Sequence, residues 1–134
     1  MSNSRAIKLR AWFINGKHKT FDSQIMSMME DRSLAEFLNS VEDAELDHGI
    51  QAILMQFTGL KDKNGKEIFE GDVVKCKMIT QNDILPHEGE VVFVEEFGGF
   101  ATKNQAGKTL FHNHLIDSFE VIGNIYESPE LLET

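Results

Sequence analysis

The sequence predicts an α+β protein: a β-hairpin and a short helix at the N-terminus, joined to a β-rich C-terminal half that forms a small barrel or half-open roll. Three observations carry this. Residues 6–13 alternate apolar and polar side chains with period two, as a half-buried strand does. A helical apolar stripe follows, with Leu34, Phe37, Leu38 and Val41 at i, i+3, i+4 and i+7. From Val73 onward five short apolar runs are separated by Gly, Asn and Pro, the pattern of a small barrel or roll.

Each element has a local reason. Ile7, Leu9, Ala11 and Phe13 fall on one face of the first strand, with Lys8, Arg10 and Trp12 on the other. Asn15-Gly16 is the preferred pair for a two-residue type I′ turn, so Lys17 to Phe21 is expected to return as the second strand. The segment 22–31, with Ile25, Met26, Met28 and Met29, fits neither period. Methionine fills irregular gaps, so it reads as core filler, or as a partner-binding methionine patch. Ser33 and Glu36 have the spacing of a capping box. The acidic residues Glu42, Asp43, Glu45 and Asp47 oppose the macrodipole at a helix C-terminus. The helix is therefore expected to end near Ser40, with the acidic run as a solvated loop.

Ile50 to Phe57 reads as a strand. Asp62-Lys63-Asn64-Gly65-Lys66 reads as a turn, with Lys66 to Phe69 after it, and Glu70-Gly71-Asp72 as a second turn. Val73 to Ile79 is a strand, and Thr80 to Gly89, which contains Pro86, is a loop. Glu90 to Phe97 and Phe100 to Lys103 flank a Gly98-Gly99 turn. Thr109 to Ile116 and Phe119 to Tyr126 complete the set, and the tail forms one helical turn over Leu131 and Leu132. The organisation expected is an N-terminal α+β part (1–54), a connector that shares the core (55–75) and a C-terminal barrel part (76–134).

Composition narrows the chemistry. At 134 residues and 41% hydrophobic content the chain can bury a core without staples. The single cysteine, Cys76, excludes an internal disulfide and every multi-cysteine zinc site, and fits a reducing, cytoplasmic setting. No secretory leader pattern is visible, and no apolar run approaches the ~20 residues of a membrane-spanning helix. The net charge of −9 opposes nucleic-acid binding through bulk electrostatics. The exception is a basic cluster at the N-terminal hairpin, Arg5, Lys8, Arg10, Lys17 and Lys19, which reads as a nucleic-acid or partner contact, or as a solvated strand face.

No catalytic constellation emerges. Gly107-Lys108-Thr109 resembles the end of a P-loop, but Thr102 stands where the first glycine belongs. Asp62 to Gly65 resembles part of an EF-hand loop, but that loop would start at Leu60 and end at Gly71, neither a suitable ligand. His112 and His114, two apart on an expected strand, share a face and with His87 or Asp117 would make a metal site. The plainer reading is two imidazoles bonded to water or backbone. Cys76, mid-strand between Val74 and Met78, reads as a buried and inert thiol. The expectation is a non-enzymatic protein with no cofactor.

The stretch Met55–Val74, MQFTGLKDKNGKEIFEGDVV, resembles the hallmark of the YopX family, small proteins of bacteriophages and prophages. Ile7–Trp12 (IKLRAW) and Phe119–Leu132 (FEVIGNIYESPELL) are similar to the family's opening strand and closing segment. The motif positions matched are Arg10, Trp12, Gln56, Thr58, Gly59, Asp62, Gly65, Gly71, Asp72, Gly123 and Asn124. Residues 21–48 and 80–89 match poorly. The resemblance implies a mixed N-terminal part with a small SH3-like barrel, a phage source and a place in the cytoplasm of the bacterial host. It brings no activity and no catalytic positions. Residue by residue, the stretch reads as structural: Gly59, Gly65 and Gly71 for positive φ, and Asp62, Asn64 and Asp72 for bonds to turn backbone.

These readings favour a protein-binding or regulatory module whose partner is a host or phage protein, with self-association possible. The alternatives are nucleic-acid binding by the basic hairpin and a metal-dependent enzyme built on His112 and His114. A further variant lets the acidic run imitate DNA phosphates, against ordinary solubilising charge.

Overall fold

A computed structural model describes residues 8–15, 24–29, 33–48, 50–111 and 114–132. Its contacts divide the chain into two units, one ending at Phe57 and the other beginning at Thr58. The strands form two antiparallel sheets. Among the described residues no helix is long and apolar enough to cross a membrane.

In the first unit β1 (Leu9–Asn15) is the central strand. It pairs with β2 (Gln24–Met28), Ile14 opposite Gln24 and Arg10 opposite Met28. On its other side it pairs with β3 (Ile50–Lys61), Asn15 opposite Ile50 and Leu9 opposite Gln56. The partner of β1 is thus the methionine-rich segment, not Lys17 to Phe21, which lies outside the described residues together with Gly16. A register with Ile14 opposite Gln24 leaves more residues between the strands than a two-residue turn holds.

Helix α1 runs Leu34–His48. The Ser33 hydroxyl accepts the Glu36 amide at 3.1 Å, and the Ser33 carbonyl accepts the Phe37 amide at 3.0 Å, which begins the helix. The expected end near Ser40 is wrong, because the acidic run is helical. Opposing the macrodipole costs only a few tenths to 1 kcal/mol at an exposed site. Ala44, Leu46 and the glutamates are good helix formers that offset it. Phe37 and Val41 are buried with Ala11, and Leu9, Phe13, Met29 and Ala52 pack around them. Leu9, Ala11 and Phe13 form the face of β1 that packs in this core, as the alternation predicts. Arg10 and Trp12 on the other face are buried as well, so the strand is not half-buried and that face is not solvated. Ala11 lacks the side chain that would hold the helix away.

In the second unit the end of β3 turns into β4 (Glu67–Phe69). Five strands follow: β5 (Asp72–Ile79), β6 (Ile84–Val94), β7 (Gly99–Asn104), β8 (Gly107–Leu110) and β9 (Glu120–Asn124). Their order is β8-β7-β6-β5-β9. The outer strands β8 and β9 do not pair, so by backbone bonding this is an open sheet and not a closed barrel. Val74, Cys76, Val91, Ile68 and Phe119 form the core, with Leu60, Phe100, Phe111 and Val121 against it.

Two further expectations fail here. Ile84 to Gly89 is strand, not loop; the β5–β6 turn is only Thr80 to Asp83, closed by the Thr80 amide on the Asp83 carbonyl at 2.8 Å. The expected strand Thr109 to Ile116 stops at Leu110, after which His114 makes a single bridge to Met78. The glycine turn appears as expected, with a 3-10 turn Glu95–Phe97 closed by Gly98 at φ 61°. The tail forms a 3-10 turn, Pro129–Leu132.

Candidate functional site

The stretch that looks most like a site is a backbone clasp. The Asp62 Oδ1 accepts the amides of Asn64 and Lys66, both at 2.9 Å, which closes the turn. Its Oδ2 accepts the Val121 amide at 2.9 Å. Burial works to raise the Asp62 carboxyl, but the amides of Val121, Lys66 and Asn64, with the Lys66 charge, hold it below the usual carboxylate range. Beside it the Lys63 amide donates to the Phe119 carbonyl at 2.9 Å, and the Lys63 ammonium lies 3.1 Å from the Glu120 carboxylate.

A second clasp lies at the start of β5. Asp72, 1% exposed, accepts the Phe69 amide at 2.8 Å. Gly71 takes φ +86°, which a side chain would strain. Its amide donates to the Val91 carbonyl and its carbonyl accepts the Ile125 amide, both at 2.9 Å. Asn124 Oδ1 then accepts the amides of Tyr126 and Glu127 at 3.0 and 2.8 Å. Thr58 Oγ1 accepts the Leu60 amide, and Gly59 and Gly65 also have positive φ. A Cβ at Gly123 would come to 2.6 Å from Leu131 Cδ1. These oxygens are occupied by the protein's own amides.

In the first unit Arg10 and Trp12 are each 5% exposed, and Gln56 is exposed. Of the basic cluster only Lys8 and Arg10 are described; Arg10 is buried, and the Lys8 ammonium lies over the Phe57 ring at 5.6 Å.

The polar group with the least ordinary surroundings lies on the inner face of the five-stranded sheet. Thr102, fully buried on β7, has its hydroxyl 2.7 Å from His87 Nε2 and 2.8 Å from His114 Nε2. The Thr109 carbonyl is 3.5 Å from the same hydroxyl. The two imidazole centroids are 5.0 Å apart. Phe111 and Phe119 pack on His114 at 6.2 and 5.6 Å. Gly89 faces inward between His87 and Val91; a Cβ there would lie 2.9 Å from the Lys103 carbonyl oxygen. Burial lowers the His87 imidazole below its ordinary value. The sequence suggests His87 only as a ligand beside His114 and does not single out Thr102 as its companion. The usable signal is strand parity: Thr102 stands opposite the buried Val91.

The expected face shared by His112 and His114 involves His112, which lies outside the described residues; β8 ends at Leu110, and His114 makes its single bridge to Met78. Among the described residues no three His, Cys, Asp or Glu side chains are grouped to hold a metal ion. Burial pushes the Cys76 thiol up to about 11.

Beside this cluster runs a groove of about 610 Å³ lined by Lys63, Lys77, His114, Leu115, Asp117 and Ser118. A second hollow, of about 340 Å³, shares Lys77 and Leu115 and adds Ile84 and Pro86. At its end Ile79 and Ile84 face each other across the β5–β6 pair, 47% and 53% exposed. A third hollow, of about 560 Å³, is lined by Glu88, Glu90, Lys103, Asn104 and Leu131 among others. Burial raises the Glu90 carboxyl there, and Lys103 opposes the rise.

Fold and site together define a small two-unit α+β protein with turns clasped by buried carboxylates and a polar cluster within its second core. The family model for YopX protein matches residues 8–133, and the chain belongs to that family. The crystal structure of protein EF1440 from Enterococcus faecalis is similar in fold, with a TM-score of 0.51 over 96% of this chain and 99% of that one, at 22% identity. No curated protein matches the chain.

Proposed function

We propose that the protein is a non-enzymatic protein-binding or regulatory module, made by a bacteriophage or prophage and acting in the cytoplasm of its bacterial host on a host or phage protein. The observation that carries this is the apolar end of the β5–β6 hairpin. Ile79 and Ile84 expose about half their surface, and Leu85 is 41% exposed beside them. Pro86 and Leu115 continue the apolar surface into a groove that Lys77 borders. Adjoining exposed apolar residues with a polar rim are characteristic of protein-docking surfaces. The strand order, with the core on one face, supports reading the second sheet as a half-open, SH3-like roll that presents this hairpin.

Affinity capture from host lysate tests the reading when wild type, Ile84→Asp and Leu54→Asp are run together. Leu54 is a 45% exposed apolar residue of the first unit and serves as the comparison. A partner retained by Leu54→Asp and lost by Ile84→Asp is expected. Equal capture by both variants, or no capture by any of the three, refutes the hairpin as the docking surface.

A further inference from the structure

We propose that His87, Thr102 and His114 form a proton-sensitive latch, which holds the segment His114–Ser118 against β5 when the imidazoles are neutral and lets it go when they take up protons. The argument is an inventory of hydrogens. A threonine hydroxyl has one hydrogen to give, and two neutral imidazoles suit it. One Nε2 accepts from Thr102 and the other donates to it, so the two rings hold opposite tautomers. Protonating the accepting ring turns both Nε2–H groups on the same oxygen. The hydroxyl hydrogen must then swing to the Thr109 carbonyl, which at 3.5 Å is a poor acceptor. A proton on each ring also sets two like charges with centroids 5.0 Å apart in a largely buried place.

Among the described residues, the side chains packed on the cluster carry little charge to offset these. Phe111 and Phe119 flank His114 and offer only ring faces and edges. Cys76, the register partner of His87 on β5, is a buried thiol. Lys77 and Lys63 line the groove beside His114 and disfavour an added proton, while the exposed Asp117 on the same groove favours it. Glu88, Glu90 and Lys103 alternate onto the opposite face of the sheet from His87 and Thr102.

What the latch holds, among the described residues, is the docking of this segment on β5. His114 bridges to Met78, the Leu115 amide donates to the Lys77 carbonyl at 2.9 Å, and the Lys77 amide donates to the Ser118 hydroxyl at 2.8 Å. Bonds of this kind, at the margin of a sheet, can open locally while the sheet stays folded. Release uncovers Phe111 and Phe119 and widens the groove along Lys77 and Leu115.

Hydrogen exchange of the full chain, read as protection factors at pH 7.5 and pH 5, with imidazole nitrogen NMR in parallel, tests this. The expected result is that Leu115 protection falls about tenfold or more on acidification while that of Val91, in the sheet centre, holds. One ring should carry its hydrogen on Nε2 and the other on Nδ1 at pH 7.5. Thr102→Val should leave Leu115 poorly protected at both pH values. If that variant does not fold, His87→Ala, on a partly buried residue, should remove the pH dependence of Leu115 protection, because one of the two like charges is gone. Leu115 protection that keeps step with Val91, or identical tautomers in both rings, overturns the latch.

Discussion

Asp62 Oδ2 and the backbone amide of Val121 lie 2.9 Å apart across 59 residues of chain. The same carboxylate closes its own turn through Asn64 and Lys66. One side chain therefore sets a local bend and fixes β9 beside it. Hydrogen bonds to a charged group contribute about 1.5–3 kcal/mol each, and a buried amide left without its acceptor costs about 1–3 kcal/mol. Asp62→Ala should destabilise the protein by about 3 kcal/mol or more in urea unfolding. Asp62→Asn retains one acceptor oxygen, but its amide nitrogen must face either the turn amides or Val121. That variant should lose about 2 kcal/mol, and full wild-type stability in Asp62→Asn would show that the charge is irrelevant.

The pH dependence has a defined sign. The folded state holds the Asp62 carboxyl low, so the unfolded chain binds the proton more readily. Its contribution is complete above the unfolded value near ~4 and disappears as pH falls through the folded one. His87 is likewise lowered in the folded state, so stability should begin to fall below about pH 6.5. Unfolding midpoints in denaturant between pH 8 and 3 should show both declines, with Asp62→Ala removing the acidic one. An acid limb of equal steepness in that variant would assign the loss to other carboxylates.

Cys76 tests whether the second core is closed. Its thiol is 6% exposed and pushed up to about 11 by burial. The thiolate is the reactive species, so at pH 8 folded protein should react with a disulfide reagent orders of magnitude more slowly than unfolded protein. Modification that proceeds as fast in buffer as in denaturant would contradict the packing around Val74, Val91 and Phe119.

What is legible in the sequence is local. The Ser33 cap, the Asp62 to Gly65 turn and the Gly71-Asp72 step each involve residues within four positions, so their chemistry can be read off the chain. The end of α1 cannot, because macrodipole and propensity differ by tenths of a kcal/mol and pull oppositely. Val121 cannot be read as the partner of Asp62, since nothing local encodes a contact so far along the chain. His87 enters the sequence reading only as an alternative to Asp117 beside a His112–His114 metal pair; its contact with Thr102 emerges only once Gly89 and the β6–β7 register are known.

Gly89 shows the same dependence in reverse. The sequence places it at the end of a loop, and it is instead buried within β6. A Cβ there would meet the Lys103 backbone oxygen at 2.9 Å, and backbone cannot move aside as a side chain does. Gly89→Ala should cost about 1–3 kcal/mol, as overpacking does. It should also disturb the His87–Thr102 contact, seen as a shifted His87 titration. A variant as stable as wild type with His87 unchanged would mean that β6 and β7 are not so close.

Pro86 stands for a loop in the sequence and blunts a strand edge in the fold. Lys77, its register partner, directs its amide to Ser118 and its carbonyl to Leu115, away from β6. Lys77 and Pro86 are therefore a non-hydrogen-bonded pair, and the proline nitrogen points to the β7 side of β6, at a position beyond the end of the β6–β7 pairing. The neighbouring positions on that side are capped as well: the Ile84 amide donates to the Asp83 carboxylate at 2.8 Å, and the Glu88 carbonyl accepts from Asn104 Nδ2 at 3.0 Å. Proline on an exposed edge removes the donor that another chain would use. Beside Ile84 and Leu85 an intact donor row would be a template for association. Pro86→Val should leave monomer stability within about 1 kcal/mol, because no internal bond depends on that nitrogen. It should shift light scattering toward larger, concentration-dependent species. Unchanged particle size for Pro86→Val at high protein concentration would show that side chains alone, and not the missing amide, keep this edge from pairing.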